Sequence, residues 1–272
     1  MTPLAITQPQ AALVFDQMAA DYDNVFTNSM IGRAQRDAVW SVATQIFRRG
    51  DHILELNCGT GEDALFFTRN GVSVTACDAS ERMIQMASNR LRTEAPDAPV
   101  KFNLLSTERI HELPHVTQFH GVFSNFSGLN CVADLKQTTE HLAHLLSPGT
   151  QLLLCLSTRF CVWEMLWFVL HGNPRKAFRR CSGHATAKAG EFTVDVYYPT
   201  VRKLQALFSP SFVLRSCTGV GVTVPPSYVE PSIRNHPKLL TVLRTIDRHI
   251  SKCPVFRVLG DHVLLHFERV QQ

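Results

Sequence analysis

Residues 53–63 read Ile53-Leu-Glu-Leu-Asn-Cys-Gly-Thr-Gly-Glu-Asp63, a short apolar strand that runs into a glycine-rich turn. Gly59 and Gly61 allow the backbone to turn tightly and to approach a ligand at a helix N-terminus. The next strand-like stretch ends at Asp78, nineteen residues after Gly59. An acid at this place in the neighbouring strand is where the hydroxyls of a ribose find a carboxylate. The stretch therefore predicts an α/β fold that binds a nucleotide-like ligand.

Strand-like and helix-like stretches alternate on both sides of this turn. The expected strands of the sheet are 52–57, 72–77, 100–105, 121–125, 151–157, 212–219 and 262–269, and residues 192–197 form a further strand-like stretch. The expected helices are 13–23, 32–47, 59–70, 133–146, 200–208 and 239–250, with one more that begins after the N-cap Ser80. Several strands are apolar throughout, as they are when helices cover both faces of a parallel sheet. We expect a Rossmann-like seven-stranded sheet, mostly parallel, with an antiparallel last strand.

The composition excludes several classes of protein. Hydrophobic residues make up 45% of the 272 residues and charged residues 18%, which is typical of a folded chain. The net charge of +4 gives no signal of nucleic-acid binding, and the apolar runs are far shorter than the roughly 18–20 residues of a membrane span. Eight cysteines without a C-x-x-C pair predict buried, reduced thiols and a cytoplasmic location.

A metal site is not expected from the histidine and cysteine spacing. His141 and His144 are three residues apart on a predicted helix, but no Cys or carboxylate joins them at the spacing of metal ligands.

Two classes of nucleotide-like ligand fit the turn. Gly59-x-Gly61-x-x-Ala64 satisfies the dinucleotide fingerprint, so an NAD-dependent oxidoreductase is one alternative. Glu55 disfavours it, because a carboxylate at the end of the first strand would repel a pyrophosphate. The same glutamate suits a ligand that carries an amino group and a sulfonium.

Four stretches resemble one family. Residues 55–61 resemble the first motif of the class I S-adenosylmethionine-dependent methyltransferases, and Asp78-Ala-Ser80 with Met83 resembles their second. Phe15-Asp-x-x-Ala-x-x-Tyr-Asp23 is similar to the N-terminal lid signature of their small-molecule members, the ubiquinone/menaquinone-type (methyltransferase type 11/25-like) group. Residues 123–126 fall where the fourth motif of the family ends a strand beside the transferring methyl group.

The resemblance covers residues 12–157 and implies a helical lid at 1–47. The alternation of strands and helices breaks after residue 157, which predicts two insertions, 158–190 and 225–260, that form a cap within a single methyltransferase domain spanning 1–272. The cofactor implied is S-adenosylmethionine.

The resemblance also implies a set of cofactor-binding residues. In chain order they are Tyr22, Glu55, Asn57, Gly59, Gly61, Asp78, Ala79, Met83, Ser106, Thr107, Ser124 and Asn125. Asn57 replaces the usual glycine but tolerates a positive φ better than most residues. Ser106 stands where many members have an Asp near the adenine, so Ser106, Thr107 and a backbone amide are all candidates for that contact. Met83 fits a place beside the adenine and equally the apolar stripe of its own helix.

The family's reaction is an in-line displacement at a sulfonium carbon, in which the enzyme mainly aligns the reacting atoms. A hydroxyl acceptor would also benefit from a general base. The candidates are His171, Tyr197, Tyr198, Asp261 and His262, all in or beside the insertions.

The charges and aromatic residues of the first insertion bear on the chemical class of the acceptor. Residues 159–181 carry five basic residues and one acid. They form either a solvated helix face or an anchor for an anionic group, with Arg179 and Arg180 as the best forks. Trp163 and Trp167 form either an apolar wall for the acceptor or the packing of the cap. We expect a small-molecule acceptor, apolar or aromatic with an anionic end.

A nucleic-acid acceptor is not expected, because residues 124–127 lack the polar-Pro-Pro-aromatic string that accompanies nucleic-acid amino methylation. The main alternative function is a catalytically silent S-adenosylmethionine-binding homologue that acts as a sensor or partner protein. Its binding residues would be the same.

Overall fold

The computed structural model describes residues 9–114 and 118–271, and within them nine strands form two sheets. The strands are β1 (His52–Leu56), β2 (Ser73–Asp78), β3 (Val100–Leu104), β4 (Gly121–Ser124), β5 (Gln151–Ser157), β6 (His184–Ala189), β7 (Phe192–Tyr197), β8 (Phe212–Val220) and β9 (His262–Arg269). Seven of them form the main sheet in the order β3-β2-β1-β4-β5-β9-β8, and β6 pairs with β7 in a separate hairpin.

Helices precede, connect and follow these strands. They are α1 (Gln10–Tyr22), α2 (Met30–Ile46), α3 (Glu62–Arg69), α4 (Glu81–Glu94), α5 (Leu135–Leu145), α6 (Val162–Leu170), α7 (Pro174–Ala177), α8 (Val201–Phe208), α9 (Glu230–Ile233) and α10 (Pro237–Ile250). A π-helical turn, Asp23–Thr27, joins α1 to α2. Ser80 caps α4, as predicted, since its hydroxyl accepts a hydrogen bond from the Met83 N–H at 3.1 Å.

The strand directions confirm the predicted sheet. β1 pairs in parallel with β2 and β4, whereas β9 pairs antiparallel with both β5 and β8. β9 is therefore the one antiparallel strand of the seven. The strand order changes direction between β1 and β4, and ligands of open α/β sheets bind at such a switch point, beyond the carboxyl ends of the strands.

The core lies on both faces of the sheet. Leu152 and Leu154 of β5 pack into a cluster that includes Phe208 of α8, whereas Leu153 between them belongs to the opposite cluster with Val39 of α2. Because successive side chains of a strand point to opposite faces, both sets must be apolar, which explains the continuous apolar runs. Five of the eight predicted buried thiols are free and buried, those of Cys58, Cys77, Cys155, Cys161 and Cys217. The free thiols of Cys131, Cys181 and Cys253 are only half-buried, which corrects the prediction for these three.

The first insertion contains a strand that the sequence did not reveal. No strand was predicted in residues 158–190, but β6 lies inside them and pairs along its length with β7, which coincides with the strand-like stretch predicted at 192–197. β6 reads His-Ala-Thr-Ala-Lys-Ala, and its small side chains give little of the apolar alternation that marks a strand.

No helix of residues 9–114 and 118–271 has both the length and the apolar character that a membrane crossing requires.

Candidate functional site

A narrow cleft lies at the carboxyl ends of β1, β2 and β4, beneath α1. Seven of the twelve predicted cofactor residues line it: Tyr22, Asn57, Gly59, Asp78, Ala79, Thr107 and Asn125. Phe15 and Phe126 contribute apolar wall. The cleft is thus built from the four stretches in which the resemblance was found.

The turn after β1 has the backbone that its sequence predicts. Asn57, Gly59 and Gly61 have φ values of 56°, 54° and 78°, all in the left-handed region. Asp78 fixes this turn, because its carboxylate accepts hydrogen bonds from the backbone N–H groups of Gly59 and Ser80, each at 2.9 Å. Burial raises the pKa of Asp78, and these two hydrogen bonds oppose the shift.

Five predicted cofactor residues do not line the cleft. Gly61 and Met83 are packing positions: an added Cβ at Gly61 would lie 2.8 Å from the Cβ of Ala87, and Met83 is 1% exposed. Ser106 is buried at the start of a 3-10 turn, and the Ser124 hydroxyl donates to the Asn57 side-chain oxygen at 3.5 Å. Glu55 is the fifth.

Glu55 is 1% exposed, and its Oε2 atom has no hydrogen-bond partner within the described residues. Burial raises the pKa of Glu55 well above its usual range, with Asp63 raising it further and Arg36 lowering it. A buried carboxylate oxygen without a donor is a place where a cationic ligand group gains most.

A buried network behind the cleft was not predicted. The Asp63 carboxylate accepts hydrogen bonds from Arg36, from the indole of Trp40 at 2.6 Å and from the Asn125 amide at 3.2 Å. The Arg36 guanidinium carbon lies 4.8 Å from the centre of the Phe126 ring. Asp63 lies two residues after Gly61, in the stretch that indicated the ligand site, so its role could have been considered from the sequence. Arg36 lies in α2, where no motif in the neighbouring sequence indicates a site residue.

The N-terminal signature has a structural explanation. Asp16 accepts hydrogen bonds from the Ser80 hydroxyl at 2.5 Å and from the Arg82 N–H at 3.0 Å, at the start of α4. Asp23 accepts from the Thr60 hydroxyl at 2.6 Å and pairs with Arg90. The two acids therefore hold α1 and the turn after it against the glycine turn and against α4.

A second, wider cavity of about 580 Å³ adjoins the cleft. Tyr22 and Phe126 line both. Its other lining residues are Gln17, Met18, Asp21, Val25, Phe26, Ser157, Arg179, Arg180, Gly190, Pro226, Ser227, Tyr228, Asp261 and His262. Burial raises the pKa of Tyr22 to about 12, so its hydroxyl keeps its proton at neutral pH.

The two tryptophans do not form the wall of this cavity, which corrects the first of the two expectations for them. The indole N–H of Trp163 donates to the Thr223 carbonyl at 2.8 Å, and Trp167 packs against the cluster that includes Ile31 and Leu240. They pack the cap instead. Tyr228 and Phe26 supply aromatic surface in their place.

His262 and Asp261 are the only proposed general bases that line the cavity within the described chain. His171 is exposed at the end of α6, stacked on Trp167, and Tyr197 and Tyr198 lie outside the lining. His262 packs edge-on against Phe126, with ring centres 5.4 Å apart. Burial lowers the pKa of His262 although Asp261 opposes the shift, so the ring is neutral at pH 7.

Both arginines of the predicted anion anchor reach the cavity, but acids already hold them. Arg179 forms a fork on Glu164 with contacts of 2.7 and 3.1 Å, and Arg180 bonds Glu164 at 2.7 Å and Asp261 at 2.9 Å. Two positive and two negative charges cancel. Arg180 is 9% exposed and Arg179 is 37% exposed, so only Arg179 presents a guanidinium surface to a ligand.

Residues 9–114 and 118–271 contain no group of three His, Cys, Asp or Glu side chains placed to hold a metal ion.

The chain is similar to known methyltransferases. A family model described as "Methyltransferase domain" matches residues 53–149. A demethylmenaquinone methyltransferase of Symbiobacterium thermophilum is 30% identical over 188 residues, which cover 61% of this chain and 72% of that protein. One of Clavibacter sepedonicus is 28% identical over 149 residues, 54% of this chain and 57% of that protein. A 27-O-demethylrifamycin SV methyltransferase of Amycolatopsis mediterranei is 31% identical over 108 residues, 39% of each.

Solved structures share the fold. SpnF, a 4+2 cyclase, superposes with a TM-score of 0.65 at 15% identity, covering 99% of this chain and 98% of that one. An S-adenosylmethionine-dependent methyltransferase from Mesorhizobium loti gives 0.55 at 17% identity, covering 87% and 98%.

The relatives are matched over different shares of their length. The chain spans 55–59% of the length of four of the demethylmenaquinone methyltransferases that it matches, and 72% of the Symbiobacterium thermophilum protein. Together with the motifs and the sheet order, this match shows that the chain belongs to the class I S-adenosylmethionine-dependent methyltransferases, whose cofactor is S-adenosylmethionine.

Proposed function

We propose that this chain transfers a methyl group from S-adenosylmethionine to an apolar, aromatic small molecule held in the second cavity. The observation that carries the proposal is the shared wall: Tyr22 and Phe126 line both the cleft and the cavity. A ligand in one would therefore lie beside a ligand in the other, next to these two side chains. Holding two reactants in line in this way contributes on the order of 7–11 kcal/mol to a displacement reaction.

The cleft suits the proposed cofactor. Bound there, S-adenosylmethionine supplies a methyl group on a positively charged sulfur. The unpartnered Oε2 of Glu55 provides a hydrogen-bond acceptor for the amino end of the ligand, whose positive charge would favour the ionised carboxylate once it is bound, and Asp78 provides a carboxylate for the ribose. The space beside Gly59 is open, since an added Cβ there would meet no atom within 4 Å.

The cavity suits an aromatic acceptor. Phe26, Phe126 and Tyr228 offer ring surfaces, and Met18 and Val25 add flexible apolar surface near its rim, where they are 39% and 64% exposed. The relatives are named for demethylmenaquinone and for a demethylated rifamycin, and an acceptor screen should begin with these two compounds.

His262 is the proposed general base for a hydroxyl acceptor. It lines the cavity, it is neutral at pH 7, and its Nδ1 atom has no hydrogen-bond partner within the described residues. Asp261 Oδ2 lies 3.6 Å from that atom, close enough to favour the protonated ring once it has taken a proton.

Asp78→Ala tests the cofactor site. Loss of a charged acceptor for two ribose hydroxyls is expected to weaken binding by about 1.5–3 kcal/mol, roughly ten- to a hundredfold. Calorimetric titration with S-adenosylmethionine, S-adenosylhomocysteine and NAD measures this. The exposed Asp97→Ala serves as the matched control and should bind like the wild type. Binding of NAD alone by the wild-type chain would contradict the proposal.

Glu55→Gln tests the buried carboxylate through pH. Because the pKa of Glu55 is raised on folding, its contribution to stability is fully present below the unfolded pKa of about 4.5 and is lost as pH rises through the folded value. We therefore expect the variant to gain stability over the wild type as pH increases from 5 to 8, measured by urea unfolding without ligand. The same variant should bind S-adenosylmethionine more weakly. A stability difference that does not change with pH would show that Glu55 titrates normally.

His262→Gln tests the general base. With an acceptor hydroxyl that the screen identifies, kcat/KM should fall by about 100-fold or more. The wild-type rate should fall as the pH drops through the lowered pKa of His262, below about 6.5, and the variant should lose this limb of the pH profile. His171→Gln, an exposed histidine outside the cavity, is the control. A variant that keeps the wild-type rate and profile would exclude His262 as the base.

Arg179→Ala and Arg180→Ala separate anchoring from folding. Arg180→Ala leaves Glu164 and Asp261 short of a buried partner and should destabilise the fold by about 3–5 kcal/mol. Arg179→Ala should change the melting temperature little but raise KM for an acceptor with an anionic group, without affecting the affinity for S-adenosylmethionine. Unchanged acceptor kinetics in Arg179→Ala would remove the anionic group from the proposed acceptor.

A further inference from the structure

Two helices of the cap expose apolar stripes. On α6, Val162, Leu166, Val169 and Leu170 are 37%, 57%, 48% and 82% exposed, and their spacing places them on one side of the helix. On α10, Leu239, Val242 and Ile246 are 47%, 54% and 41% exposed at helical spacing. Val255 and Phe256, just after α10, are 64% and 42% exposed. We call these nine residues the apolar face.

The elements that carry the apolar face are linked to one another through buried residues. Trp167 of α6 and Leu243 of α10 pack against the same buried cluster. The indole of Trp163 donates to the Thr223 carbonyl, and the Thr223 hydroxyl donates to the carbonyl of Leu243 at 2.8 Å. The N–H of Val162 donates to the Leu259 carbonyl at 3.1 Å, beside the segment that carries Phe256.

Exposed apolar side chains are concentrated in the cap. Sixteen large hydrophobic side chains are exposed on the described chain, and twelve of them belong to residues 158–190 or 225–260. Single exposed apolar residues are ordinary on a protein surface, whereas a contiguous group marks an interaction site.

Charge is distributed just as unevenly. The two insertions contain twelve Lys and Arg against three acids, a net charge of +9, whereas the rest of the chain contains fifteen against twenty, a net charge of −5. The three acids, Glu164, Glu230 and Asp247, are all buried and bonded inward. The exposed charges of the cap are therefore positive, and they include Arg175, Lys176, Arg234, Lys238, Arg248 and Lys252.

We propose that the apolar face and these basic side chains bind the surface of an anionic lipid bilayer. Apolar side chains of surface helices enter the boundary between headgroups and acyl chains, and Lys and Arg pair with anionic headgroups. A second copy of the chain fits this surface less well, because it would set one positive cap against another.

The bilayer would also reach the acceptor cavity, a point that rests on the proposed function. Tyr228 lines the cavity, and its ring centre lies 5.3 Å from that of Phe168 on α6. Met18 and Val25 continue the apolar rim. An acceptor dissolved in the bilayer would pass from the apolar face into the cavity along apolar surface.

Flotation of the full chain with vesicles tests the proposal, without cofactor or acceptor. One vesicle set contains phosphatidylglycerol and phosphatidylcholine, and the other contains phosphatidylcholine alone. We expect binding to the anionic set that weakens when salt rises from about 0.1 to 0.5 M. The variant Leu166→Gln/Leu170→Gln/Val242→Gln, which we call the cap variant, should bind at least about tenfold more weakly than the wild type. Leu104→Gln/Val213→Gln replaces apolar residues that are 50% and 39% exposed outside the cap, and should bind like the wild type.

Three results would overturn the proposal. The first is no preference for anionic vesicles, and the second is equal binding by the two variants. The third is a wild-type dimer in sedimentation velocity that is lost in the cap variant and kept in the Leu104→Gln/Val213→Gln control, which would assign the face to a second copy. Titration of the cap variant with S-adenosylmethionine should give the wild-type affinity, since none of its three positions lines the cleft. Vesicle binding without methyl transfer would leave this inference standing and reject the proposed function.

Discussion

The buried ion pair between Arg36 and Asp63 is the interaction on which the site depends. It joins α2 to the start of α3, and through Asn125 it reaches the end of β4. Removal of one partner from such a pair leaves an uncompensated buried charge, which costs about 3–5 kcal/mol. Phe126 and Ser127 follow immediately with φ values of 45° and 70°, a conformation that costs a residue other than glycine about 1–2 kcal/mol. The network stabilises this strained backbone in the position where Phe126 lines both the cleft and the second cavity.

The turn after β1 could be predicted because its determinants are local. Gly59, Gly61 and Asp78 are recognisable from residue type and spacing alone, and the positive φ of Asn57 follows from its own chemistry. The partners of the cap could not be predicted in this way. Arg180 donates a hydrogen bond to Asp261, eighty-one residues away in the sequence, and Trp163 donates one to Thr223, sixty residues away. No local sequence pattern indicates either pairing, so the excess of basic residues in 159–181 could not show that Arg179 and Arg180 belong to a neutral cluster.

The sheet by itself does not decide the reaction. A 4+2 cyclase has this fold at a TM-score of 0.65, as does a methyltransferase at 0.55. What separates such proteins is the site built on the fold. In this chain the adjoining cleft and cavity, with the aromatic and ionisable groups that line them, support methyl transfer. The proposed acceptor site combines α1 and the turn after it with residues of the two insertions.

Helix α1 separates the two cavities and takes part in both. Ala12 and Phe15 face the cleft, Gln17 and Met18 face the cavity, and Tyr22 faces both. A ligand that orders this helix from one side prepares the surface met by a ligand on the other side. Such coupling is reciprocal: if one ligand raises the affinity for the other, the second raises the affinity for the first by the same factor. The demethylated cofactor product, bound in the cleft beside α1, would then favour retention of the methylated acceptor, and movement of α1 would limit the release of both products.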